Sequence, residues 1–312
     1  MHGILNVNKP QGITSFGIVA IVRRLSGEQR VGHAGTLDSP ATGVLPICIG
    51  QGTRVVEFLV EATKTYYAQI ELGVATDTYD SCGKITQQGD PSDISRVKLD
   101  LALNSFRGLI QQTPPMYSAL KYHGKSLYQL ARAGINIERE SRPRTIHRLE
   151  LIDWKPPIAS VEVECDKGTY IRSIAHDLGQ VLGCGGNLKN LIRLKYGPFD
   201  INDAVSVPQL EDAFRCGYWQ KYIYPIDIVL SHYKAVIVNN EAGCDIRNGK
   251  PIILGNDDIF HETDYLGQNR ITSPNLKYFC RAYTDDGCFL GILHFNPEKG
   301  HWQPKKVFPI TD

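Results

Sequence analysis

The chain carries few of the features that announce a function outright. Its formal net charge is only +1, so overall charge does not mark it for a polyanionic partner. No stretch approaches the roughly 18 consecutive apolar residues that a membrane helix needs. Met1 to Pro10 contains no basic patch followed by an apolar run, so no secretory signal is expected and the expected location is the cytoplasm. None of the eight cysteines, at 48, 82, 165, 184, 216, 244, 280 and 288, forms a CxxC pair. This excludes a zinc site of the usual spacing, and in a cytosolic protein it favours buried thiols over disulfides. Internal repeats and low-complexity segments are also missing.

What is present fits a globular protein of two parts. The chain has 312 residues, 42% of them hydrophobic and 21% charged. That suffices for a large domain with a small one, since domains run to about 100–200 residues. Charge is unevenly spread. Lys121 to Arg148 holds seven basic residues and two acidic ones, with Tyr122, His123, Tyr128 and His147 interleaved. Such a stretch suits phosphate contacts and base stacking; a solvated surface face is the other reading.

Coarse periodicity indicates an α+β architecture. Ile4 to Val7 reads as a strand, and Thr14 or Ser15 can cap a helix reaching about Leu25 and ended by Gly27. Arg30 to Gly52, rich in glycine and small residues, reads as a long ordered loop with short elements, of the kind that carries function. Lys64 to Leu72 and Val161 to Cys165 read as strands, and Asp77 to Gly89 as a turn and strand return. Ser95 to Phe106 reads as a helix. Asp166-Lys167-Gly168 is a turn, and Thr169 onward leads into a helix that Gly183 ends. Strands and helices mix without a βαβ rhythm. A boundary is expected near Ile228 to Tyr233. Beyond it, short runs at Ala235–Val238, Tyr278–Tyr283 and Phe289–Phe295 predict a small β module over 231–312, a barrel or a sandwich.

One segment stands out chemically: Gly32-His33-Ala34-Gly35-Thr36-Leu37-Asp38-Ser39-Pro40-Ala41-Thr42-Gly43-Val44-Leu45-Pro46. A single aspartate sits among small residues and glycines, which allow close backbone approach to a ligand. Pro40 restricts Ser39 to extended conformations and stiffens the turn after the carboxylate. A carboxylate so held can act as a nucleophile toward an electrophilic carbon. Local composition by itself favours a plainer role, an aspartate closing an Asx turn or capping a helix.

The segment resembles the catalytic signature of the TruB family of pseudouridine synthases, and further motifs agree in order. Ile4 to Ser15 resembles the opening segment, Lys64-Thr65-Tyr66 the KxY segment, and Leu72 to Asp80 the strand and turn that follow. Gln112 to Lys121, with Gly124, Leu127-Tyr128 and Ala131-Arg132, resembles another stretch. Cys165 to Arg172 with Asp177-Leu178-Gly179, and then Leu191-Ile192-Arg193-Leu194, complete a match over residues 1–200. Several ordered motifs are specific where each by itself is weak. The C-terminal stretch resembles a PUA domain, an RNA-binding β-barrel, at 246–252, 287–292 and 302–308.

The resemblance implies a pseudouridine-synthase fold over 1–230, with a mixed, mainly antiparallel sheet flanked by helices, and a PUA-like barrel over 231–312. It implies isomerisation of uridine to pseudouridine at position 55 in the T loop of tRNA, by a monomer needing no redox cofactor, metal, ATP or protein partner. Asp38 would attack the nucleoside, Arg172 would pair with Asp38, and Tyr66 would meet the flipped base. A surface arginine at a helix start and a core tyrosine are the plainer readings of the last two. Tyr67 points to the opposite face of the strand from Tyr66. Lys167, Tyr170 and Leu191 are implied pocket residues, and His33 is implied to stack where bases have left. Residues 113–148 become an RNA-gripping insertion, with Lys121, Arg132, Arg142 and Arg144 on phosphates.

Three other readings compete. A guide-RNA-dependent relative would use the same chemistry, but the stand-alone enzymes are the ones that carry such a basic insertion. A tRNA-folding chaperone without chemistry would not need Asp38, Tyr66 and Arg172 together. A glycosidase-like acid pair lacks a partner carboxylate in the Asp38 loop. The family usually places proline directly after the aspartate. Here Ser39 intervenes, which puts the loop conformation in question.

Overall fold

The computed structural model describes residues 1–255, 259–260 and 278–308. The rest of the expected 231–312 module lies outside the described residues. The N-terminal part runs β1 (Gly3–Lys9), α1 (Ser15–Ser26), β2 (Val31–His33), β3 (Thr42–Ile49), α2 (Val56–Val60), β4 (Lys64–Leu72), β5 (Val74–Thr76), β6 (Ile85–Gln88) and α3 (Arg96–Leu103). It continues with β7 (Gly108–Gln112), β8 (Lys121–Tyr122), β9 (Lys125–Ser126), α4 (Leu127–Arg132), β10 (Arg142–Lys155), β11 (Ile158–Cys165), α5 (Ile171–Val181) and β12 (Gly186–Tyr196). Then come β13 (Phe199–Asp200), β14 (Val205–Ser206), α6 (Val207–Cys216) and β15 (Ile223–Tyr224).

Eleven strands form one sheet along the path β14-β1-β3-β12-β4-β11-β10-β7, with β13, β15 and β2 attached beside it. The β1–β14 and β3–β12 pairings are parallel and the others antiparallel. The sheet is therefore mixed and mainly antiparallel, as expected. Alternation explains β4: Tyr66, Ala68, Ile70 and Leu72 are buried, while Tyr67, Gln69 and Glu71 are half-buried on the other face. The buried row packs with Ile171, Ile174, Ala175 and Leu178 of α5 and Leu99 and Leu103 of α3.

One element departs from the sequence reading. Much of the expected loop Arg30–Gly52 is β3, an almost wholly buried strand at the middle of the sheet. A strand covered on both faces reads as a continuous apolar run rather than an alternation, and Pro46 inside it looks like a breaker. Pro46 cannot donate to the ladder, but its carbonyl still accepts from Ala34 N–H at 3.1 Å. The basic segment also divides. Residues 113–141 stand off the sheet as a hairpin and α4 around a small cluster of Met116, Leu127 and Leu130. From Arg142 on, the chain is already β10, paired with β7 and β11.

The C-terminal part adds β16 (Lys234–Val238), α7 (Asn240–Arg247), β17 (Ile259–Phe260), β18 (Phe279–Thr284), β19 (Phe289–Asn296) and β20 (His301–Val307). Its strands form a five-stranded sheet in the order β17-β16-β18-β19-β20. The two parts are joined tightly. Lys306 Nζ donates to Arg54 O at 2.6 Å, and Tyr283 Oη donates to Asp227 Oδ2 at 2.6 Å. Phe289, Ile292 and Phe308 share a core with Val55, Ile226 and Leu230. All eight cysteines are free. Cys48, Cys165, Cys184 and Cys280 are buried as expected, but Cys82, Cys216, Cys244 and Cys288 are exposed, because they fall in turns and on outward helix faces. Among the described residues, no helix is long and apolar enough to cross a membrane.

Candidate active site

The Asp38 loop links β2 to β3 and is tied at almost every residue. Thr14 caps α1 by accepting from Gly17 N–H at 3.0 Å, which places Ser15 at the helix start. Ser15 Oγ then accepts from Leu37 N–H at 2.9 Å and donates to Leu37 O at 3.0 Å. Gly35 stands at φ +64°, and a Cβ there would lie 2.8 Å from the Tyr196 ring, so glycine is required. The Ser39 carbonyl is gripped by Gly12 N–H at 2.9 Å and Lys9 Nζ at 3.2 Å. Ala41 N–H donates to Asp38 O at 3.1 Å and closes a turn with Ser39 and Pro40 at its corner. The displaced proline therefore leaves a fully anchored loop.

Asp38 and Arg172 come from opposite halves of the family pattern and meet directly. Arg172 Nη2 lies 2.9 Å from Asp38 Oδ2, and the arginine side chain is only 8% exposed while the aspartate is 45% exposed. A guanidinium in the first turn of a helix is poorly placed against the helix dipole. Its surroundings compensate: Arg172 donates to Tyr117 O at 3.0 Å and Thr78 O at 3.4 Å, and Asp80 lies 3.7 Å away. Asp80 is itself fixed by Thr78 Oγ1 at 2.6 Å and Cys82 N–H at 3.0 Å. The turn that delivers it puts Tyr79 at φ +65°, costly for a bulky residue, and Tyr79 stacks on His176 at 3.9 Å. Asp38 is thus aimed by a cation held from behind, with its open side toward the cavity.

That cavity has a volume of about 550 Å³ and is lined by Asp38, Tyr66, Tyr117, Tyr128, Lys167, Tyr170, Arg172, Leu191 and Arg193, among others. The volume suits one nucleoside with its neighbours. Burial raises the Tyr66 hydroxyl above its ordinary value against the opposing charge of Arg193. Tyr67, on the other face of β4, donates to Ser160 Oγ at 3.0 Å. Burial likewise raises Tyr170, opposed by the charge of Arg172. The Tyr170 backbone is clamped by Gln112, whose amide accepts from its N–H at 2.8 Å and donates to its carbonyl at 3.0 Å.

Of the expected site residues, Asp38, Tyr66, Arg172, Lys167, Tyr170 and Leu191 share this cavity, and the other five do not line it. His33 ends β2, with a buried Nδ1 that has no hydrogen-bond partner; burial first, and then Arg193, lowers its pKa. Lys121 projects from the β8–β9 hairpin. Arg132 lies over the Tyr128 ring at 4.6 Å, one residue removed from the cavity. Arg142 opens β10, and Arg144 Nε holds Gly168 O at 2.9 Å. Lys167 is paired with Glu61 across the rim.

Four charged groups were missed, although each stood inside a quoted motif: Lys9, Lys64, Asp80 and Arg193. Lys9 is fully buried and donates to Pro10 O, Ile13 O and Ser39 O at 3.0, 2.7 and 3.2 Å. Burial lowers its pKa to about 8, with Asp38 pulling upward and Arg193 downward. Lys64 lies 4.5 Å from the centre of the Tyr196 ring, and burial with Arg193 lowers it to about 8. Among the described residues, no cluster of three His, Cys, Asp or Glu side chains is placed to hold a metal ion.

Comparison with known proteins finds relatives over nearly the whole chain. Residues 23–171 match the model of the TruB family pseudouridylate synthase N-terminal domain, and residues 172–231 match the tRNA pseudouridylate synthase B C-terminal domain. A tRNA pseudouridine synthase B of Dehalococcoides mccartyi is 43% identical over 309 residues, spanning 99% of this chain and 97% of the relative. One from Clostridium kluyveri is 45% identical over 251 residues, spanning 80% and 84%. In fold, the chain is similar to a structure of a Cbf5-Nop10-Gar1 complex, with TM-score 0.72, 24% identity and coverage of 98% of this chain and 84% of the other.

Proposed function

Because the chain belongs to the TruB family of pseudouridylate synthases, we propose a mechanism for it as an isomerase that forms pseudouridine in tRNA. The target is uridine 55 in the T loop. The base leaves its stack and enters the cavity beside Tyr66, at a cost of a few kcal/mol that aromatic contacts offset. Asp38 attacks the nucleoside, the bond from the sugar to the ring nitrogen breaks, the uracil rejoins the sugar through carbon, and the bond to Asp38 breaks to free the carboxylate. The proton displaced from that carbon leaves, and the freed nitrogen takes one up, so the reaction is neutral in atoms and charge.

The observation that carries this reading is the Asp38–Arg172 pair, 2.9 Å across, at the wall of a cavity that Tyr66 also lines. Asp80 is buried behind Arg172, whereas Asp38 pairs with the guanidinium while staying open to the cavity. Residues 113–141 supply Tyr117 and Tyr128 to the same cavity, and the exposed Lys121, Lys125 and Arg132 lie beyond its lining, where phosphates would pass. In this reading His33, half-buried at the end of β2, stacks where bases have left the T loop. The catalytic unit spans 1–230, and the C-terminal sheet serves as a PUA-like RNA-binding barrel over 231–312. The enzyme acts as a cytoplasmic monomer. Mass-spectrometric mapping of a bare tRNA transcript after incubation with this protein alone tests the reading. Pseudouridine at position 55 is expected, whereas a requirement for added proteins or a guide RNA would overturn the stand-alone assignment.

A further inference from the structure

Arg193 is one of the largest fully buried side chains of the molecule, and it sits in the wall of the active cavity. It belongs to β12 and pairs in register with Tyr66 across β4, so the two side chains leave the sheet on the same face as direct cross-strand neighbours. The described ion pairs of β12 belong to Lys189 and Lys195, whose side chains face Glu71 and Asp200. Arg193 has backbone partners instead. Its Nε donates to Val44 O at 2.7 Å and its Nη2 to Gly35 O at 2.9 Å, so it locks the sheet to the start of the Asp38 loop. Its guanidinium also lies against the Tyr196 ring at 4.8 Å. Two donors on Nη1 and the second on Nη2 remain available to the Tyr66 oxygen.

A guanidinium can only donate hydrogen bonds. If it donates to a phenol oxygen, that phenol must direct its own proton elsewhere. We propose that Arg193 is a positioning residue that holds the Tyr66 oxygen from within the sheet and leaves the Tyr66 hydroxyl as a hydrogen-bond donor into the cavity. This rests on the proposed isomerisation and sharpens it. In the reaction the detaching or attacked uracil ring takes electron density onto its carbonyl oxygens, and a donor beside a buried cation stabilises that charge. Burial keeps the Tyr66 phenol protonated against the Arg193 charge, so Tyr66 serves the base as a donor rather than as a phenolate that removes a proton.

The test is a cycle of Arg193→Lys, Tyr66→Phe and the double variant, read by single-turnover isomerisation and by tRNA affinity. Arg193→Lys is expected to bind tRNA within about twofold of wild type and to lose roughly ten- to a hundredfold in rate. The double variant should be no slower than Tyr66→Phe, because both changes remove one interaction. Fully additive losses, or a loss confined to binding, would overturn the proposal. Should Arg193→Lys fail to fold, nitrogen NMR of the arginine side chains in wild type and Tyr66→Phe decides, since that change removes a single oxygen. The Arg193 Nη signals should shift and their rotation quicken in Tyr66→Phe, and unchanged signals would refute the contact. Wild type in the same assay separates the two claims: inactivity there sinks the isomerase reading, whereas activity with additive losses sinks only the role of Arg193.

Discussion

The sheet wall of the cavity and the segment 113–141 face the same space but are built on opposite principles. On the wall, Tyr66 and Arg193 stand on paired strands, Arg172 is held by two carbonyls and a carboxylate, and the Asp38 loop is anchored at residues 35, 37, 38 and 39. The segment 113–141 rests on a cluster of three buried residues and carries Lys121, Lys125 and Arg132 outward, while Arg139 turns in to donate to Pro114 O. The difference shows how this fold divides labour. Atoms that must meet a reacting bond are fixed from several directions, since small misplacements there are costly. Groups that meet a phosphate chain need only charge and reach.

That division can be broken in four ways. Asp38→Asn keeps the size and the loop contacts, which run through the backbone; it should lower isomerisation by roughly 10⁴-fold or more while tRNA affinity, measured by filter binding, stays near wild type. Arg172→Lys retains the charge but loses the forked contact to Asp38 and the carbonyls. A rate loss of roughly 10²–10³-fold in single turnover is expected, with little change in binding. Replacing Lys121, Arg132 and Arg142 by Gln should do the reverse. Affinity should fall by roughly tenfold or more, and the slope of log K against log salt should flatten by about two to three, with the saturated rate preserved. Arg144 is left out because it holds Gly168 O on the cavity wall. An unchanged salt slope would show that the segment does not lie along RNA.

The smallest effect concerns Asp177, in the helix that carries Arg172. Burial raises its pKa from 3.8 to about 6. Between those values the folded protein holds a proton that the unfolded chain has released, so its contribution to stability declines as pH rises from 4 to 6. Asp177→Asn should raise stability at pH 7 by about 2 kcal/mol and leave it unchanged near pH 3.5, as read by urea denaturation at both pH values.

The legible part of the site was the part that the family motifs mark, since local composition by itself read Asp38 as a turn aspartate. Asp38 among glycines, Tyr66 beside Lys64, and Arg172 at a helix start all stood in motifs, and the structure brings all three to one cavity. Arg193 and Lys9 stood in motifs too and were passed over, because lysine and arginine are ordinarily solvent-exposed and nothing local signals that they are buried. Their burial follows from strand pairing far away in sequence: Arg193 stands opposite Tyr66 and beside Gly43, where a Cβ would lie 2.3 Å from the Arg193 carbonyl oxygen. The same long-range pairing hid β3. Its identity as a strand depends on β1 and β12 covering its edges rather than on alternation. The 113–148 segment was legible as a charge excess, but only pairing with β7 shows that it rejoins the sheet at Arg142.

The most direct test sets the two regions against each other in one experiment: pseudouridine formed in a tRNA transcript at saturating enzyme, by Asp38→Asn and by the Lys121, Arg132 and Arg142 charge-removal variant side by side. The account predicts no product from the first and the wild-type rate from the second. Product from Asp38→Asn, or equal losses in both, would contradict it.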